Sequence, residues 1–68
     1  MPSTSIRKSA YDPATRTLSI WVVASGKRYD YDDVPAELYA DFREAHSKGR
    51  FFNEHIRDRF PYRRIAQG

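Results

Sequence analysis

Apolar and polar side chains alternate most regularly over residues 17–23, and a repeat of two is typical of a β-strand. β-branched residues and a tryptophan are common in this segment, and both favour strands. The pattern therefore predicts a strand with one buried face. That face would carry Leu18, Ile20 and Val22.

The predicted strand leads into a hairpin. Ser25 and Gly26 supply a turn, because glycine accepts a positive φ angle without a steric clash. If these two residues form the whole loop, Val22 pairs with Tyr29, and Ile20 with Tyr31 by the same register. Directly opposed residues share a face, so both tyrosines would join the buried face. The other face would carry Trp21, Val23, Arg28 and Asp30.

Weaker patterns flank this hairpin. Residues 6–11 predict a first strand, and residues 12–15 predict a turn, because Asp and Pro favour one. Val34–Pro35 ends the third strand, with Pro35 at the first helical position. Apolar residues at helical spacing then predict one helix up to about residue 46 and a second over about 50–59. Residues 47–49 break the two helices apart, and Ser47 is a suitable cap for the second.

These elements predict an α+β fold. Three antiparallel strands form a meander, two helices cover one face, and residues 62–65 are a candidate fourth strand after the helix-stopping Pro61. A chain of 68 residues makes a single domain, with residues 1–4 expected to be loose. Ten aromatic residues help to fill the small core.

Charge is unevenly distributed along the chain. The net charge is +3, with +4 over residues 1–29, −5 over 30–45 and +4 over 46–68. There is no cysteine, so disulfides and thiolate metal sites are excluded. No apolar run is long enough to cross a bilayer, and residues 1–5 do not look like a signal peptide. We therefore expect a cytoplasmic protein without a membrane partner, and a monomer.

Several short motifs follow one another along the chain. They are Tyr11-Asp12-Pro13, Tyr29-Asp30-Tyr31, Val34-Pro35, Ala45-His46-Ser47-Lys48-Gly49-Arg50-Phe51-Phe52-Asn53 and Tyr62. In this order they resemble the KTSC domain family, named after a module at the C-terminus of some lysyl-tRNA synthetases and also found as free-standing bacterial proteins. The resemblance covers roughly residues 5–64. It implies little about function, because the family is one of unknown activity and RNA binding is suggested only by association with the synthetase.

RNA is the preferred partner in our interpretation. Basic side chains contact phosphates without reading sequence, and a strand aromatic can stack on an unpaired base. The tyrosines of the hairpin are better explained as core residues, whereas Trp21 has no evident role in the core. The predicted nucleic-acid surface consists of Trp21, Arg28, Lys48, Arg50, Arg57, Arg63 and Arg64, with Arg59 nearby.

Two smaller candidate sites are weaker. The start of the second helix is a candidate anion site formed by Lys48, Gly49, Arg50 and Asn53, but these residues serve equally well as an ordinary turn between helices. No third potential ligand lies at a sequence spacing from His46 and His55 that is typical of metal sites, so we expect no metal and no cofactor. No nucleophile motif is present, and we expect no enzyme activity.

The alternative function is a protein-interaction module. The partner, or a second copy of the chain, would dock on the Trp21 face or on the acidic helix at residues 35–46. The carboxylates available to such a partner are Asp32, Asp33, Glu37, Asp41 and Glu44. The arrangement of the basic residues in space discriminates between the two functions. If the six C-terminal basic residues scatter or pair with Asp30, Asp32 and Asp58, RNA loses its footprint. A broad exposed apolar patch around Trp21 would favour a protein partner.

Overall fold

The computed structural model describes residues 5–65 and contains a four-stranded antiparallel sheet with two helices. The strands are β1 (Ile6–Asp12), β2 (Thr17–Val22), β3 (Arg28–Tyr31) and β4 (Tyr62–Ile65), and they lie in the order β1-β2-β3-β4. The helices are α1 (Ala36–Glu44) and α2 (Lys48–His55). The predicted α+β class is confirmed, and the candidate fourth strand is present. The loose segment predicted for residues 1–4 lies outside the described residues.

The core lies between the sheet and the two helices. Every second residue of the central strands faces it, because side chains alternate across a sheet. The predicted faces are confirmed for β2 and β3, since Leu18, Ile20 and Tyr31 are buried together with helical residues. The fully enclosed core consists of Leu18, Ile20, Val34, Phe42 and Ile56.

The predicted register of the hairpin is wrong by two residues. Ile20 pairs with Tyr29, and Leu18 with Tyr31. The loop is longer than two residues, because the Val22 N–H donates to the Lys27 carbonyl at 3.0 Å. A register shift of two residues leaves every side chain on its predicted face of the sheet. It changes only which residue lies opposite on the neighbouring strand.

The first hairpin explains why the β1 pattern is weak. A β-bulge between Ile6 and Lys8 shifts the register with which β1 pairs to β2. The side chains of β1 that face the core are therefore not spaced two residues apart across the bulge. At the other end of β1, the Asp12 side chain accepts a hydrogen bond from the Ala14 N–H at 3.0 Å, as expected for the predicted turn. This turn extends to Arg16, which has a φ of 58°.

The helix boundaries differ from the prediction in three places. Pro35 is extended and precedes α1 instead of forming its first residue. Gly49 lies inside α2, since Ser47 caps that helix by accepting a hydrogen bond from the Arg50 N–H at 3.3 Å. The second helix ends at His55 and not near residue 59. Beyond it the Arg57 N–H donates to the Phe52 carbonyl at 2.9 Å, and this tight turn starts the reversal that places β4 beside β3.

Candidate functional site

The outer face of the sheet, which points away from both helices, carries a mixed set of charged and polar side chains. Register places Lys8 and Ala10 of β1 on this face, opposite Trp21 and Ser19 of β2. Arg28 and Asp30 of β3 follow on the same face, and Asp30 is paired with Arg63 of β4. The helices pack on the opposite face, where the core lies. This outer face is therefore the part of the sheet that its own helices leave open to a partner.

Trp21 lies between two cations on the outer face. Its cross-strand partners are Lys8 on β1 and Arg28 on β3. The Lys8 ammonium is 5.0 Å from the indole centroid, and the Arg28 guanidinium carbon is 5.1 Å from it. Both distances are within the range of cation–π attraction. We call Lys8, Trp21 and Arg28 the Trp21 cluster.

Arg28 is held in place by Asp30. Its Nε and one terminal nitrogen donate to the two carboxylate oxygens at 2.8 and 3.0 Å, a bidentate pairing. The same terminal nitrogen lies 3.4 Å from the Ser19 hydroxyl oxygen. Burial alone would raise the pKa of Asp30, but hydrogen bonds from Arg28 and Ser19 and the charges of Arg28 and Arg63 outweigh it and lower the pKa. Asp30 is therefore ionised and keeps the guanidinium beside the indole.

The other end of the outer face is acidic. A groove of about 570 Å³ there is lined by several carboxylates, and both Arg28 and Arg63 also line it. The Arg63 guanidinium donates to Asp32 at 2.9 Å, so part of its charge is neutralised within the chain. Carboxylates outnumber the two arginines in this lining, so the groove disfavours an anion. The carboxylates that line the groove are Asp12, Asp30, Asp32 and Asp33.

The structure does not bring the predicted nucleic-acid residues together. Trp21, Arg28 and Arg63 lie on the outer face. Arg64 points to the helix side of the sheet, because it pairs with the inward-facing Tyr29. The remaining three lie on α2 or in the turn after it, and Arg50 is paired there with Glu54 at 3.4 Å. Those three are Lys48, Arg50 and Arg57.

The candidate anion site at the start of α2 is already occupied by contacts within the chain. The Ser47 side chain accepts the Arg50 N–H, Gly49 is buried, and the Arg50 guanidinium faces Glu54. Asn53 also has a partner inside the protein. These contacts favour the alternative considered above, an ordinary connection between two helices.

The histidines do not form a catalytic or metal-binding arrangement in the described part of the chain. The His55 ring packs on Phe51 with centroids 4.5 Å apart, and His46 is exposed between the helices. Among residues 5–65, no three His, Asp or Glu side chains are grouped closely enough to hold a metal ion. Within the same range, neither helix is long and apolar enough to cross a membrane.

Sequence reasoning missed Lys8 as a member of the candidate site. The bulge in β1 hides which face Lys8 occupies, so its position opposite Trp21 does not follow from alternation. Arg28, in contrast, was expected across from or diagonal to Trp21, and it lies directly opposite.

Comparison with known proteins places the chain among small domains of one kind. A sequence model of the KTSC domain family matches residues 2–60. The crystal structure of a KTSC domain protein from Yersinia pestis has a TM-score of 0.88 and 38% identity, covering 97% of this chain and 92% of that one. A protein from Tsukamurella paurometabola is 38% identical over 58 residues, which are 85% of each chain.

A longer relative contains a similar segment. The lysine–tRNA ligase of Nostoc punctiforme is 34% identical over 61 residues, which are 90% of this chain and 11% of the ligase. The chain thus spans about a tenth of the length of that ligase. Similar sequences therefore occur both as a small part of a large enzyme and across most of a short protein.

Proposed function

The chain belongs to the KTSC domain family, and from this premise we propose that it is a small non-catalytic module that binds single-stranded RNA through the Trp21 cluster. The observation that carries the proposal is an indole flanked by two cations on the open face of a four-stranded antiparallel sheet. Aromatic side chains on such a face stack on unpaired bases in several RNA-binding sheets. A similar segment within a protein named lysine–tRNA ligase agrees with an RNA partner.

The two cations of the cluster have different roles in this proposal. Lys8 is exposed and makes no ion pair with any residue in the range 5–65, so its ammonium group can leave the indole to contact a phosphate. Arg28 is tied to Asp30 and stays beside the ring. A base then stacks on Trp21 while Lys8 and Arg28 attract the backbone, which gives affinity without sequence preference.

The surroundings of Trp21 support RNA over the alternative protein partner. Its direct cross-strand neighbours are both cations, while the apolar Ile65 lies opposite Arg28 and Val23 is exposed two residues along the chain. Protein interfaces are instead depleted of lysine at their centres. The scattered basic residues of α2 and of the turn after it are not part of this proposal.

The first experiment is an NMR titration of labelled full-length protein with a ten-nucleotide single-stranded RNA at low and at moderate salt. We expect saturable shifts at the Trp21 indole, Lys8 and Arg28, and quenching of the emission of this single tryptophan. Trp21→Leu should weaken the binding about 5- to 150-fold, since stacking on one aromatic contributes about 1–3 kcal/mol.

A matched pair of variants tests where on the protein the RNA binds. Lys8→Gln removes a cation from the Trp21 cluster, and Lys48→Gln removes one from the exposed start of α2. Only Lys8→Gln should weaken RNA binding. Equal losses in the two variants would move the interface away from the Trp21 cluster, and an absence of shifts at low salt would reject RNA binding.

A further inference from the structure

A second cleft lies on the opposite side of the sheet, at the edge where β4 meets the end of α2. Its volume is about 440 Å³, which is within the usual range for a small-molecule site. Strand β3 contributes Tyr29 and Tyr31, β4 contributes Tyr62, and the segment at the end of α2 contributes Phe52 and Arg57. We call these five residues the tyrosine cleft. Val22, Ala24, Ser25 and Asp58 also line it.

Tyr31 is a nearly buried residue that lines this cleft. The residue is only 4% exposed, and its ring packs against Phe52 and Tyr62 with centroid distances of 5.4 Å in both cases. No hydrogen bond from its hydroxyl to a residue in the range 5–65 is found, and no polar side-chain atom in that range is both buried and without a partner, so the hydroxyl itself is accessible from the cleft. A cleft lined by such a group offers a ligand a hydrogen bond that the protein itself does not use.

The hydroxyl of Tyr31 is a donor at neutral pH. Burial raises its pKa to about 12, and of the neighbouring groups Tyr62, Tyr29 and Asp58 raise it while Arg57 lowers it. The electrostatic influence of these four groups agrees with their shared position around the cleft.

Tyr62 provides an exposed aromatic surface beside that donor. Its side chain is 58% exposed although it lies on the helix side of the sheet, opposite Tyr31 in the register. Its ring is supported by Tyr29 at 5.9 Å and by Tyr31 at 5.4 Å between centroids. A supported but exposed ring can stack on a planar ligand with little loss of side-chain entropy.

Arg57 supplies a positive charge at the same cleft. It is exposed and forms no ion pair with any residue from 5 to 65, whereas Arg28, Arg50 and Arg63 each have a carboxylate partner. A guanidinium group that is not committed to a carboxylate can bind an anionic group in a bidentate manner.

We propose that the tyrosine cleft binds a small planar aromatic molecule that carries an anionic group. The ring stacks on Tyr62, the anionic group pairs with Arg57, and the Tyr31 hydroxyl donates to a polar atom of the ring. Nucleoside monophosphates and aromatic carboxylates share this chemistry. The site is on the face opposite the Trp21 cluster and does not depend on RNA binding there.

The test is an NMR titration of the full chain with adenosine 5′-monophosphate and separately with 4-hydroxybenzoate, up to about 5 mM. We expect saturable shifts at Tyr62, Tyr31 and Arg57 with at least one of the two, and the one that binds identifies the source of the ligand. Adenosine, which lacks the phosphate, should bind more weakly than its monophosphate.

Four variants make the test specific. Arg57→Gln should weaken binding about tenfold, as loss of a charged hydrogen bond does, whereas Arg59→Gln, the same change two residues away and outside the cleft, should have no effect. Tyr31→Phe keeps the ring packing and should weaken binding without unfolding the protein. Trp21→Leu should leave it unchanged.

Three results would overturn the proposal. The first is the absence of saturable shifts with both probes. The second is an equal loss of binding in Arg57→Gln and Arg59→Gln. The third is a set of shifts centred on the Trp21 indole in place of Tyr62, which would assign the probes to the outer face.

Discussion

Arg28 and Asp30 are two residues apart on β3 and form a bidentate ion pair on the outer face of the sheet, with nitrogen–oxygen distances of 2.8 and 3.0 Å. The spacing of two puts both side chains on one face, so the strand itself brings them together. Asp30 is only 6% exposed although no helix covers this face. The pair therefore combines a structural role with the positioning of Arg28 beside Trp21.

Removal of Asp30 should destabilise the protein. Asp30→Ala leaves the partly buried Arg28 guanidinium without its carboxylate, and we expect a loss of about 2 kcal/mol in the free energy of unfolding. Glu54→Ala breaks the exposed pair with Arg50 and should cost less than about 0.5 kcal/mol. Urea unfolding of both variants measures the difference. Similar losses in the two would show that the Arg28–Asp30 pair contributes no more than a surface pair.

The same carboxylate should make stability depend on acid pH. The pKa of Asp30 is lower in the folded protein than its ordinary value of 3.8, so near that pH the unfolded chain binds more protons. Its contribution to stability is complete above the ordinary value and is lost as the pH falls through the folded-state pKa. Urea unfolding at a series of pH values between about 2 and 6 gives the free energy of unfolding as a function of pH. This free energy should change less steeply with pH in Asp30→Asn than in the unaltered protein. An unchanged slope would mean that other carboxylates cause the acid sensitivity.

The salt dependence of RNA binding should be shallow. Two cations at the Trp21 cluster predict a slope of about −1.4 for the logarithm of the binding constant against the logarithm of salt concentration, at about −0.7 per phosphate contact on a single strand. An interface that also used the three scattered basic residues Lys48, Arg50 and Arg57, five cations in all, would give about −3.5. Fluorescence titrations at several potassium chloride concentrations separate the two. The steeper of the two slopes would show that the RNA contacts more of the surface than the Trp21 cluster.

Gly26 should be replaceable only at the cost of backbone strain. Its φ is +66°, and a Cβ atom built there has no neighbour within 4 Å, so a clash does not contribute. Gly26→Ala should therefore lower the free energy of unfolding by about 1 kcal/mol, the usual cost of a left-handed conformation. Gly26→Asn should cost less, because asparagine tolerates that region. Thermal unfolding of both variants tests this, and equal losses would point to a cause other than the φ angle.

The sequence predicted the faces of the central hairpin correctly and its register incorrectly, for one physical reason. Alternation places Ile20 on the buried face whether it pairs with Tyr31, as predicted, or with Tyr29, as observed. Only the length of the loop chooses between these registers, and the loop depends on backbone hydrogen bonds such as that from Val22 to Lys27.

The candidate site was less predictable than the core. Trp21 was singled out because the hairpin core had no place for it, and its position on the outer face was predicted. Lys8 was missed, since the bulge in β1 is set by pairing with β2 and leaves no signature in the residue pattern. The tyrosine cleft depends on where the turn after α2 returns β4 to the sheet, which helical periodicity does not reveal.

The sequence by itself determined which apolar residues of the central hairpin face the core, since this follows from local periodicity and from the preference of apolar side chains to leave water. It also determined the family, through motifs that keep their order along the chain. Only the tertiary structure decided which polar groups meet, as Lys8 does with Trp21 and Arg63 with Asp32. Such contacts depend on register, bulges and chain reversals, and these are set by the packing of the whole domain.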